Sequence, residues 1–410
     1  MLSESSKAVV EATAGVVAEN SVTITSRFYP KMFAAHPELL RIFNHADQEL
    51  GEQAQALAAS VVAYAVQLID PDAPSFRPVM ERIAQKHVSL GIKPSEYTIV
   101  GKYLMEAIGE VLGDAVTPEI AAAWNEVYWL FALQLVSAEA MLYREHNVTA
   151  ETARKEFEII QRIDEAEDVV SLILRPVDGG PLFTHSPGQY VTVWADLPDG
   201  SRQPRQYTIS TGPRPATRQI TVRRVRATAT APAGLVSNFL HDHCPVGTTI
   251  ELSFPAGDVL VDQSSDPLVL ISAGVGITTT AAILDDVMRT QPEREIILAH
   301  ADRSPSAHAL YDVTSAAATR LARTRTHLWY EAGADEDSAR ARSAASGLMD
   351  LTAVDIPSNA QAFMCGPLPF MREARTTLLA KGIPPERITY EVFGPDLWAQ
   401  NPENAESLSA

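Results

Sequence analysis

Leu268-Val269-Leu270-Ile271-Ser272-Ala273-Gly274-Val275-Gly276-Ile277-Thr278 decides the architecture of the last third of the chain. A short apolar run of strand length meets two closely spaced glycines, and Thr279 to Arg289 then continues as a helix. Outward from there, strands alternate with helices. Glu295–Ala299 reads as a strand, Ser306–Arg320 as a helix, and Thr326–Tyr330, Ala362–Met364 and Ile388–Phe393 as strands. That alternation predicts a parallel, doubly wound sheet over residues 263–410. Upstream, between 148 and 262, the hydrophobic period falls to two. Phe157–Ile160, Val169–Leu174, Gln189–Trp194, Arg205–Ser210, Ile220–Val225 and Thr249–Phe254 read as short strands with Pro and Gly between them, which predicts a barrel or sandwich. Residues 1–147 read as helices. Leu50, Ala54, Leu57, Val61 and Tyr64 recur at helical spacing, Ser75–Leu90 and Pro94–Leu112 follow, and Thr117-Pro118-Glu119 opens a long last helix to about Tyr143. The polar stretch His146–Lys155 is the expected hinge.

Composition narrows the class. A chain of 410 residues has room for two or three domains, each with its own core. No uncharged apolar run reaches membrane-spanning length, and no basic, apolar and small-residue succession marks a secretory signal. Cys244 and Cys365 lie far apart, which suits a reducing compartment, the cytoplasm, and argues against a disulfide framework or an iron–sulfur cluster. The net charge of −18 divides as −8 over residues 1–147 and −10 over the rest, so acidity is spread along the chain and disfavours nucleic acid as a partner. The chain has no internal repeat and no low-complexity tract.

Several polar residues interrupt the apolar faces of the helical third. His87 shares a face with Ile83, Ala84 and Leu90. Gln53 lies between Leu50 and Leu57, Tyr29 among Phe28, Met32 and Phe33, and Glu139 among Leu135, Val136, Leu142 and Tyr143. Polar groups pointing into one helical core need partners. A private hydrogen-bond network explains one such residue well and several less well, whereas a bound haem would supply partners to some of them.

Taken in order, Ile83-Ala84-Gln85-Lys86-His87, Arg205-Gln206-Tyr207-Thr208, and Ala273 to Thr278 with Cys365-Gly366-Pro367 resemble one family, the flavohaemoglobins. The resemblance runs from Met1 to about Pro395. It implies an all-α globin fold (1–147), a ferredoxin-reductase-like antiparallel β-barrel that binds FAD (148–262), and an α/β doubly wound domain that binds NAD(P)H (263–410). By that resemblance His87 is the axial ligand of haem b, Phe43 wedges against the porphyrin, and Tyr29 and Gln53 donate hydrogen bonds to oxygen in a space limited by Leu57. Tyr97 and Glu139 stand behind His87, where a carboxylate accepting the other ring N–H strengthens the imidazole as a donor to iron. Lys86 is expected at an interdomain contact with Glu391.

Arg205 is implied to hold the flavin pyrophosphate, Tyr207 to pack on the isoalloxazine, and Thr208 to sit near N5, with Gln206 beside them. Pro187-Gly188-Gln189-Tyr190 lies upstream. Gly234-Leu235-Val236-Ser237 resembles the family turn whose backbone N–H groups meet flavin phosphate. Residues Ala227–Pro232 depart from the family's usual Glu- and Gly-rich approach to it. Gly274, Gly276, Ile277 and Thr278 form the nicotinamide loop, although Thr279 replaces the family's Pro. Cys365, Gly366 and Pro367 match the motif beside the nicotinamide, and Phe393 in Glu391-Val392-Phe393-Gly394-Pro395 is implied to cover the flavin. Asp302-Arg303-Ser304 contains groups suited to NADH and to NADPH; NADH is the leaning.

The implied activity is nitric oxide dioxygenation: NAD(P)H reduces FAD, FAD reduces haem b, and O2 with NO gives nitrate. O2 and NO are the implied small-molecule partners, a monomer the implied state, and a lipid ligand in the haem pocket is left open. Two other classes stay open at this point. One is an oxygen-binding or sensing globin with a maintenance reductase; the other is a general NAD(P)H-dependent flavin or peroxide reductase.

Overall fold

The computed structural model describes residues 2–43, 52–70, 72–73, 75–229, 231–258, 261–333 and 344–393. They fall into two compact units, 2–153 with 198–204, and 154–197 with 205–393.

The first unit is helical: α1 Glu4–Ala35, α2 Glu52–Ile69, α3 Arg77–Leu90, α4 Pro94–Leu112 and α5 Pro118–Glu145. The starts expected at Pro94 and Pro118 hold for chemical reasons, while α3 begins at Arg77, two residues after the expected Ser75. Pro78, Pro94 and Pro118 each occupy a first turn, where a missing N–H costs nothing. Gly91 ends α3 at φ 71°, a left-handed value that glycine adopts without strain. The core is built on Phe28, Met32, Trp124, Val127 and Leu135, all nearly fully buried. Trp124 satisfies its indole N–H on the Thr13 hydroxyl at 3.0 Å.

The second unit carries two six-stranded sheets, apart from residues 202–204 of one strand. The first is antiparallel, from β1 Arg154–Ala166, β2 Val169–Pro176, β3 Tyr190–Asp196, β4 Arg202–Thr208, β5 Arg218–Arg223 and β6 Thr249–Ser253, with α6 Leu235–Asp242 between the last two. Its order is β4-β3-β6-β1-β2-β5, and an Ile209–Ile220 bridge joins its two edges, closing it into a barrel. Strand β4 starts earlier than expected and ends at Thr208. Pro204, which has no N–H to give, is tolerated because β4 is an edge strand.

The second sheet is parallel, from β7 Leu268–Ala273, β8 Ile296–Asp302, β9 Thr324–Tyr330, β10 Ala344–Ser346, β11 Gln361–Cys365 and β12 Ile388–Glu391, in the order β10-β9-β8-β7-β11-β12. The helices are α7 Ile277–Thr290, α8 Tyr311–Arg320 and α9 Leu368–Ala380. The expected helix Ser306–Arg320 begins five residues late, because Leu310 sits at φ 55°, outside the helical region. From β7 the chain moves to β8 on one side, while β11 returns to pair with β7 on the other. The crevice between the carboxyl ends of β7 and β11 is therefore the topological switch point, where doubly wound sheets bind ligands. Among the described residues, no helix is long and apolar enough to cross a membrane.

Candidate functional site

Three helices of the first unit bring their polar intruders to one point. His87 sits in the last turn of α3, Tyr97 in the first turn of α4, and Glu139 on the buried face of α5. The Nδ1 atom of His87 lies 2.8 Å from Glu139 Oε1 and 2.8 Å from the Tyr97 hydroxyl, and Tyr97 also donates to Glu139 Oε1. A carboxylate only accepts, so Nδ1 carries the ring proton and Nε2 keeps its lone pair. Burial, and then the Glu139 charge, push the Tyr97 phenol well up, which keeps it a donor.

The His87 ring lines a cavity with about 1140 Å³ of atom-free space, mouth included. Tyr29, Phe43, Leu57, Lys86 and Tyr97 line it too, with apolar side chains such as Ile83, Leu90, Val100 and Phe131. Tyr29 is buried and pushed up by burial, so its hydroxyl is a neutral donor. Its ring meets Phe43 edge-on at 5.8 Å. The Gln53 position falls in α2, but its side chain lies outside the described residues. One nitrogen lone pair in a large apolar cavity suits a flat iron macrocycle. Among the described residues, no group of three or more His, Cys, Asp or Glu could hold a bare metal ion.

Sequence reasoning missed what holds Tyr97. The Tyr128 hydroxyl donates to the Tyr97 carbonyl, and the Tyr128 ring lies where a Gly101 β-carbon would be, 2.4 Å from Cε1. Only a glycine admits that approach. Ser60 and Glu96 also line the cavity.

In the barrel, Arg205, Gln206, Tyr207 and Thr208 close β4. Gln206 Nε2 donates to the Thr192 hydroxyl at 3.1 Å, and Tyr207 packs on the barrel core with its phenol pushed up by burial. Tyr190 opens β3, and its N–H donates to the Ala256 carbonyl at 2.8 Å. The Gly234 turn is tight. A β-carbon there would meet Ser237 Oγ at 2.7 Å, and the Ser237 hydroxyl bridges the Gly234 carbonyl and the Val225 N–H, both at 3.2 Å. Val236 is buried behind it, and the N-cap residue Gly234 has no side chain to bond the start of α6, which leaves the first N–H groups suited to an anion.

In the parallel sheet, the two expected motifs meet. Ser272 and Cys365 are register partners across β7 and β11, and Cys365 faces Glu391 across β12. A β-carbon on Gly276 would lie 2.2 Å from the Cys365 carbonyl oxygen and 3.2 Å from the Gly366 nitrogen. Gly274 adopts φ 54°. Ile277 and Thr278 are buried at the start of α7, with the Thr278 hydroxyl on the Val275 carbonyl at 3.0 Å. Pro367 caps α9. Cys365 is fully buried and burial pushes its thiol well up, which disfavours the thiolate that a nucleophile or metal ligand needs. Phe393 is half exposed, and the rest of the closing motif, Gly394-Pro395, lies outside the described residues. One cation escaped the sequence reading: Arg223, exposed at the end of β5, brings Nη1 within 3.7 Å of a Gly274 β-carbon position. Lys86 and Glu391 belong to different compact units.

Family models support both halves: a globin model matches residues 26–135 and an oxidoreductase NAD-binding domain residues 270–376. A flavohemoprotein of Rhizobium meliloti is 39% identical over 407 residues, 98% of this chain and 100% of the relative. The chain belongs to the flavohaemoproteins. The flavohaemoprotein of Halalkalibacterium halodurans is 36% identical over 96% of this chain and 97% of its own. A crystal structure of flavohemoglobin from Malassezia yamatoensis with bound FAD and heme matches with a TM-score of 0.86 and 34% identity, covering 96% of this chain and 100% of that one. The FAD/NAD-binding domain of a Vibrio cholerae nitric oxide dioxygenase matches with a TM-score of 0.53 and 32% identity, over 59% of this chain and 99% of that one. This flavohaemoprotein is therefore an oxidoreductase of haem, FAD and NAD(P)H. The cavity beside His87, the uncapped α6 turn and the side-chain-free loop at Gly276 fit those three groups in turn.

Proposed function

We propose that this flavohaemoprotein is a nitric oxide dioxygenase, oxidising NAD(P)H while converting NO and O2 to nitrate. The observation that carries the reading is the His87 Nδ1–Glu139 contact at 2.8 Å opposite an apolar cavity that Tyr29 also lines. When bound, the three groups supply hydride acceptance, one-electron transfer and oxygen chemistry; the protein supplies orientation and charge.

Glu139 and Tyr97 hold the Nδ1 proton, fix the ring and make Nε2 more basic, a push suited to activating oxygen more than to carrying it. With haem bound, Tyr29 and Gln53 would act as hydrogen-bond donors to oxygen, Leu57 would limit the space for it, and Phe43 would pack against the macrocycle. Arg205 and the Gly234–Ser237 turn are assigned the flavin phosphates, Tyr207 and Thr208 its ring. Gly274–Thr278 and Cys365–Pro367 are assigned the nicotinamide coenzyme. The domain division 1–147, 148–262 and 263–410 belongs to this proposal. Lys86 and Glu391 are assigned to the electron path between flavin and haem.

The likeness to a domain of the Vibrio cholerae nitric oxide dioxygenase supports the reading. Variants test it. Tyr29→Phe with Gln53→Ala should lower NO consumption while NADH still reduces the flavin, and Lys86→Ala should slow only haem reduction. NO consumption unchanged in the double variant contradicts the assignment of the distal donors.

A further inference from the structure

Helix α7 is clamped to the barrel by one buried carboxylate. Asp285 Oδ2 accepts the Gly212 N–H at 2.7 Å, and Arg214 Nη2 reaches Oδ1 at 3.0 Å and Oδ2 at 2.9 Å. Gly212 lies close against the helix, so that a side chain there would have to displace the Arg289 guanidinium and crowd Asp285. Its β-carbon would meet Arg289 Nη2 at 2.6 Å, Asp285 Oδ2 at 3.0 Å and the Asp286 nitrogen at 3.2 Å. Arg289 ties the same loop by donating to the Pro213 carbonyl at 3.3 Å, and it pairs with Asp286 at 2.9 Å. On the barrel side, buried His185 donates from Nε2 to the Thr211 carbonyl at 2.9 Å. A charge-assisted bond to a buried N–H is both stronger and more directional than a neutral one.

The other end of α7 is held separately. Ile277 and Ala281 pack with Val169, Ala309 and Leu310, and the Glu167 N–H donates to the Ser306 carbonyl at 3.2 Å. The clamp thus sits on a helix seated along its length. Along the chain it lies four residues from Thr208, the end of the flavin strand, and nine residues from Gly276, roughly 13 Å of rigid helix.

We propose that Asp285 is a positioning residue that fixes the spacing between the flavin strand and the nicotinamide loop, and so sets the rate of hydride transfer. The step moves a hydride, with its two electrons, from the dihydronicotinamide to the flavin and leaves oxidised nicotinamide. The inference rests on the NAD(P)H-to-FAD couple alone and stands whether or not the protein dioxygenates NO.

The test compares Asp285→Ala, Asp285→Asn and Gly212→Ala in the full-length holoprotein. Anaerobic stopped-flow gives the flavin reduction rate at saturating NADH and 4-deuterated NADH, equilibrium titration gives NAD+ affinity, and amide hydrogen exchange reports on residues 211–214. Asp285→Ala should accelerate exchange there and slow hydride transfer about tenfold or more, since small misplacements of reacting groups are costly. The isotope effect should persist and NAD+ affinity stay within about threefold, because the bonds of this carboxylate go to Gly212 and Arg214 of the barrel loop. Asp285→Asn keeps an acceptor for the Gly212 N–H and should fall between wild type and Ala. Gly212→Ala disturbs the seam from the other side and should slow transfer as well; with Asp285→Asn it decides the matter if Asp285→Ala does not fold. Faster exchange with a hydride rate within about twofold of wild type overturns the proposal and leaves Asp285 a structural adhesive.

Discussion

Glu139 and His87, 52 residues apart, meet through Oε1 and Nδ1 at 2.8 Å, with Tyr97 donating to the same oxygen. The carboxylate is 3% exposed, so water competes little for it. The substitution Glu139→Gln keeps an oxygen acceptor and removes the charge. The iron–histidine stretching frequency should fall, and turnover should drop roughly tenfold, the scale on which partners of ligating histidines act. Resonance Raman on the ferrous protein checks the first and steady-state NADH oxidation with NO the second. An unchanged frequency would remove the argument for an electron-rich iron.

Gly276 is expected to tolerate no side chain. A β-carbon would press on the Cys365 carbonyl carbon and oxygen, at 2.7 and 2.2 Å, and backbone in the middle of a parallel sheet cannot step aside. Gly276→Ala should cost about 1–3 kcal/mol, as overpacking does. It should also slow flavin reduction by NADH far more than it disturbs flavin content. Thermal unfolding and stopped-flow absorbance measure the two effects.

Arg223 stands exposed beside Gly274, a cation at a loop shaped for phosphate. Arg223→Gln should raise KM for NADH about tenfold with kcat little changed, matching the loss of one charge-assisted hydrogen bond. The wild-type KM should rise with ionic strength more steeply than the variant's. Equal KM values at low salt would place Arg223 outside the coenzyme site.

His185 supplies a pH signature. Burial pushes its imidazole down to about 4 from 6.5, and its Nδ1 has no hydrogen-bond partner among the described residues. Above pH 6.5 neither folded nor unfolded chain protonates this ring, so its contribution there is flat. Between 6.5 and 4 the unfolded chain takes up the proton and the folded one does not, so stability falls as pH falls, by about 3 kcal/mol in all. Below 4 both states are protonated and the effect levels off. Denaturant unfolding across this range should show a shallower slope for His185→Gln than for wild type.

The sequence made the haem-side residues readable because His87 and Glu139 break an apolar helical face, and such breaks need partners. The glycines at 274 and 276 and Cys365 were readable as two separate motifs. That their backbones touch depends on strand order, which no local pattern records. Asp285 and Gly212 are 73 residues apart, in a helix and a loop that look ordinary alone, and the clamp exists only once two sheets are assembled. Tyr128 behind Tyr97 was hidden for the same reason. Helix α8 was overextended because apolar spacing says nothing of the left-handed turn at Leu310, and β10 was missed because Ala344-Ala345-Ser346 shows no alternation.

The most direct test of the central claim is the ratio of nitrate formed to NADH consumed when purified holoprotein turns over NO in air. NADH carries two electrons and each nitrate requires one, so two nitrates per NADH is the expected result, vanishing without oxygen. Rapid NADH oxidation with little nitrate would contradict the account and make the protein a reductase or oxidase.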